Sequence, residues 1–124
     1  MQVALVWLYI LNAALLIVHE IESAYREEWK LFKLPGGLPF FLLLHVPLVV
    51  LVLFGLVQIQ QQTLAGFILS LVLALAGIFA FTIHTIFIAR GDRGFKTPLS
   101  LGILISTLVI SIFQAALTII AMQA

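Results

Sequence analysis

The chain has 124 residues, 64% of them hydrophobic and 9% charged, with no cysteine and a formal net charge of +1. A soluble domain is about 25% charged, so this chain lacks the polar side chains to cover a water-facing globule, whereas a lipid-facing surface requires none. Without cysteine there are no disulfides or thiolate metal sites. The near-neutral charge, with no basic run, excludes a nucleic-acid partner.

Four apolar runs follow in chain order. The first covers residues 3–24, with Asn12 as its polar interruption in the membrane part. Met1-Gln2-Val3 lacks the positive start of a leader peptide, so this run is expected to be a retained helix. Tyr25-Arg26-Glu27-Glu28-Trp29-Lys30 then reads as an amphipathic interfacial stretch, ended by Pro35-Gly36-Gly37. The second run covers 39–57, opening on Pro39 at a position where helices tolerate proline. An uncharged glutamine-rich connector leads to the third run, 64–89. The loop from Arg90 to Lys96 follows, with Arg90-Gly91-Asp92 read as a turn. Thr97 is suited to cap the fourth run, 98–122, with Pro98 at its first helical position. Each run approaches or exceeds the roughly 20 residues needed to cross a bilayer. The predicted fold is all-α, a four-transmembrane-helix bundle running up-down-up-down, as one membrane domain over residues 1–124.

Four spans place the first and third connectors on one side. Arg26, Lys30, Lys33, Arg90, Arg93 and Lys96 all fall there, and the opposite side has no lysine or arginine. The positive-inside rule makes both charged loops cytoplasmic and both termini external. These six residues are expected to set topology and meet anionic headgroups.

The three histidines add a second feature. His19 precedes the end of the first run by about five residues, His45 follows the start of the second by about six, and His84 precedes the end of the third by about five. At the helical rise each then lies roughly 7–9 Å inside the same boundary. Glu22 is three positions from His19, and Glu20 is rotated about 100° from it. Ionisable groups inside a membrane are costly unless paired or hydrated. His19, Glu22, His45 and His84 meet that demand as ligands of a divalent cation, zinc or non-haem iron. Glu20 and Glu22 are the candidate catalytic groups, Glu22 as ligand or base and Glu20 as base or supporting partner. The bland alternative is a buried hydrogen-bonded network with no ion. On the third helix Ser70, Gly77 and His84 recur every seven residues, a line suited to close helix contact. Ser100, Thr107, Ser111, Gln114 and Thr118 form a polar stripe expected to face inward. Asn12 and Gln114 are expected to hydrogen-bond between helices.

The stretch His19-Glu20-Ile21-Glu22-Ser23-Ala24-Tyr25-Arg26-Glu27-Glu28-Trp29, with His45-Val46-Pro47-Leu48, resembles a family of small, uncharacterised bacterial four-span membrane proteins. Their first helix closes on a His-Glu-x-acidic motif. The chain is also distantly similar to proteins named for an HxxEE motif, although Ser23 stands where that motif has its second glutamate. The resemblance implies that His19, Glu20, Glu22 and His45 belong to one site, and it implies no activity.

Four functions fit these features. The first is a metal-binding membrane protein, as an enzyme on a lipid or other apolar substrate. The second is a haem-binding electron-transfer subunit with two axial histidines. The third is a small proton-coupled transporter, against which the acids lie near one interface rather than at the midplane. The fourth is an accessory subunit that recognises a membrane-complex partner, or a second copy of itself, through helix faces.

Overall fold

Long uninterrupted apolar runs leave the backbone no partner in lipid but itself, so they fold as helices. The computed structural model describes residues 1–91 and 96–124 and contains four such helices: α1 (Gln2–Tyr25), α2 (Gly37–Gln60), α3 (Leu64–Ala89) and α4 (Pro98–Gln123). All four are long and apolar enough to span a membrane. The chain is an all-α four-helix bundle in a lipid environment. The expected boundaries hold within three residues. Residues 92–95 lie outside those described, so the turn expected at Asp92 and the role expected of Arg93 fall there.

The termini of the helices follow local chemistry. Thr63 caps α3, its hydroxyl accepting from the Gly66 amide at 3.0 Å. Thr97 caps α4 in the same way, accepting from the Ser100 amide at 3.1 Å, with Pro98 opening the helix. Pro47 sits inside α2, where it removes the amide that would meet the Leu43 carbonyl.

The interior of the bundle is polar at its centre, as suits helices that gain nothing by hiding apolar groups from lipid. Asn12 of α1 donates to Ser111 at 3.0 Å and to Gln114 at 2.7 Å on α4. Gln114 donates onward to the Ser70 carbonyl and hydroxyl of α3, both at 3.0 Å. Ser70 and Thr118 hydroxyls meet at 2.8 Å. These side chains are buried, and so are Thr107, Gly77 and Ala74. The small-residue line of α3 and the polar stripe of α4 therefore face each other, as their spacing predicts. Gly77 makes the approach possible: a methyl group there would overlap the Ser111 hydroxyl.

α2 is held at one end. Its Gly55 leaves room for Tyr9 of α1, whose hydroxyl donates to the Val52 carbonyl at 2.6 Å. Gly66 of α3 lies against the backbone of Gln58 and Ile59. At this end Gln2 also donates to the Gln60 carbonyl at 2.7 Å. Toward the other end, that of the charged connectors, the middle of α2 presents side chains to a cavity of about 680 Å³ bordered by α1 and α3.

Candidate functional site

The histidine-bearing end of the bundle is built by three helices and one turn. α1 ends at Tyr25, and Glu27 then adopts a left-handed conformation (φ 55°, ψ 47°) that reverses the chain. A short 3-10 turn, Glu28–Lys30, follows. The reversal separates neighbours: Tyr25 and Glu27 are exposed, whereas Glu28 and Trp29 are only 6% and 8% exposed. Trp29 packs on Phe41 of α2 with ring centroids 5.5 Å apart, and Phe41 stacks on His45 at 4.1 Å. The stretch expected to be amphipathic thus has an exposed side, Tyr25 and Glu27, and a buried side, Glu28 and Trp29.

The centre of the site is His84 of α3, 1% exposed. Its Nε2 meets Glu28 Oε1 at 3.0 Å. Its ring contacts that of His19 edge-on, with centroids 4.5 Å apart. His19, Glu28 and His84 are all buried, and one ligand atom from each lies within 4.8 Å of the others. The Ser23 hydroxyl, one turn beyond His19, reaches the His19 carbonyl at 3.0 Å and also bonds to the Glu28 carboxylate. Burial acts to raise the Glu28 pKa. Its hydrogen bonds with His84 and Ser23, and the charges of His84 and His19, outweigh that and hold the carboxyl below the usual range.

A second pair adjoins this centre. His45 Nε2 lies 2.6 Å from Glu20 Oε2, and the other oxygen of Glu20 is 4.0 Å from His19 Nε2. His45 Nδ1 lies 2.7 Å from the Phe41 carbonyl. A carbonyl only accepts, so Nδ1 carries a proton. His45 Nε2 then faces the Glu20 carboxylate across the α1–α2 contact.

All three histidines thus occupy one end of the bundle, with Glu20 among them. Glu22 is directed elsewhere: it bonds to Arg26 at 3.1 Å and to the Ser100 hydroxyl of α4. Helical rotation explains this. Glu20 lies about 100° to one side of His19, toward α2, and Glu22 about 60° to the other, toward α4. The carboxylate that joins His19 and His84 is Glu28. Nothing in the periodicity of α1 points to it, because it lies beyond the helix end. The available signal is its place in Glu27-Glu28-Trp29, where an acidic residue adjoins a large aromatic one close to the membrane boundary.

A model of a family of unknown function, DUF6713, matches residues 5–121. No curated protein and no solved structure matches the chain.

Proposed function

The chain belongs to this family of unknown function, and from the geometry of the bundle we propose that it is a membrane protein holding one divalent transition-metal ion on His19, Glu28 and His84. The observation that carries the reading is the convergence of two imidazoles and one carboxylate, all buried, from α1, α3 and the turn that follows α1. Two histidines and one carboxylate form a recurrent ligand set for zinc and non-haem iron. Around an ion at about 2 Å from each ligand, neighbouring ligand atoms stand roughly 3.3 Å apart. The ligand atoms here lie within 4.8 Å of one another, close to that spacing. The His84–Glu28 contact supports the fit, because it holds two of the three candidate ligand groups side by side.

The Glu20–His45 pair serves as support. It lies beside His19 and ties α2 to α1. The edge-on contact of His19 with His84 favours a small ion over haem, whose axial ligands must stand on opposite faces of a porphyrin. Protein purified without chelator should carry close to one zinc or iron per chain by elemental analysis, and His84→Ala should carry none. A wild type that stays metal-free after incubation with zinc and with ferrous iron overturns the reading.

The positions of the connectors support a cytoplasmic placement for the site. Arg26, Lys30, Lys33, Arg90 and Lys96 flank the histidine end, while the Gln60–Thr63 end has no cation beyond the amino terminus. The natural sequence has no cysteine, so single substitutions give a clean measurement. Leu34→Cys should be protected from a membrane-impermeant maleimide in intact cells and labelled in inverted vesicles. Gln61→Cys should show the reverse. The opposite pattern would place the site outside.

A further inference from the structure

The cavity between α1, α2 and α3 has a volume of about 680 Å³, within the range of ligand pockets. Its wall is apolar along most of its length, with Leu16, Leu48, Val49, Leu73 and Ala76 among its lining. Polar groups are gathered at one end, where His19, Glu20, Glu28, His45 and His84 all border it. Toward the far end Tyr9 and Val52 join α1 to α2. From Phe41 to Val52 the α2 wall advances by eleven helical steps, roughly 16 Å. A long apolar wall ending in one polar cluster suits a ligand with a single chain and a single polar head.

We infer that this cavity binds a medium-chain fatty acid, its chain along α2 and its carboxylate at the His19–Glu28–His84 centre. The inference rests on the metal reading. Three protein ligands leave a fourth position on a tetrahedral ion, and since all three border the cavity, a cavity ligand can reach it. Charge selects the head. A divalent ion with the Glu28 carboxylate leaves one positive charge at the centre. One anionic oxygen ligand balances the centre, whereas a cationic head would add to its charge.

The test uses the full chain in phosphatidylcholine nanodiscs, loaded with cobalt(II), whose visible spectrum reports its ligands. Adding dodecanoate should change the cobalt spectrum, and methyl dodecanoate, with the chain but no carboxylate, should not. Ala76→Trp and Val49→Trp fill the cavity from opposite walls. Each should retain cobalt at the wild-type stoichiometry and lose the response to dodecanoate. If cobalt binds and dodecanoate leaves its spectrum unchanged, the inference falls and the metal reading stands. If cobalt does not bind, both fall. A response that persists in both tryptophan variants shows the carboxylate arriving by another route and overturns the cavity assignment. A spectrum that responds to exchanging phosphatidylcholine for phosphatidylglycerol, but not to dodecanoate, assigns the cavity to a membrane lipid and also overturns it.

Discussion

Glu28→Gln is expected to weaken metal binding by at least about a hundredfold, while Glu22→Gln leaves the stoichiometry unchanged. Loss of a supporting partner alone costs a metal site about ten- to a hundredfold, and Glu28 is proposed as a ligand. The glutamine amide is neutral and keeps a hydrogen-bonding oxygen, so His84 retains a polar neighbour and the fold survives. The fluorescence of Trp29, which lies in the turn and packs on Phe41, reports that survival. Glu22 is engaged by Arg26 and Ser100, so its loss should alter the α1–α4 contact and not the ion. His45→Ala should retain the ion with reduced affinity, because His45 bonds to Glu20 rather than to the centre. Equilibrium dialysis with elemental analysis on the four proteins separates these outcomes. Metal lost from Glu22→Gln and kept by Glu28→Gln would sink the assignment of ligands.

The largest expected effect on stability comes from one glycine. Gly66→Ala should destabilise the bundle by about 1–3 kcal/mol, the usual cost of overpacking. A methyl group at Gly66 overlaps the backbone of Gln58 and Ile59, and backbone cannot rotate away as a side chain can. The neighbourhood is tightly tied: the Thr63 hydroxyl donates to the Gln58 side chain at 2.8 Å, and the Thr63 amide to the Gln58 carbonyl at 3.2 Å. The comparison is Gly102→Ala on α4, where an added methyl meets nothing within 4 Å. That change should be neutral or stabilising by up to about 1 kcal/mol through helix propensity. Thermal unfolding in detergent, followed by circular dichroism, measures both. Equal shifts for the two variants would show that the α2–α3 approach is not the constraint.

The sequence by itself determined the class of fold, the four helices, their caps and the gathering of histidines at one end. Those features depend on composition, on punctuation by proline, glycine and threonine, and on counting residues at 1.5 Å each. Facing positions within one helix were equally legible. The heptad of Ser70, Gly77 and His84 and the polar stripe from Ser100 to Thr118 turn inward as their periods require.

Tertiary structure decided which acid accompanies the histidines. Spacing alone makes Glu22 a neighbour of His19, because residues three apart share a face. Glu20 and Glu22 point away from each other around α1, one toward α2 and the other toward α4, and which helix stands on which side is a property of the packed bundle. Glu28 enters through the left-handed turn at Glu27, a conformation uncommon for a residue with a side chain and one that no periodicity encodes. The cationic residues that mark this end of the molecule could be read from the sequence as determinants of orientation. The centre beneath them depends on a chain reversal, and only the packed structure places Glu28 against His84.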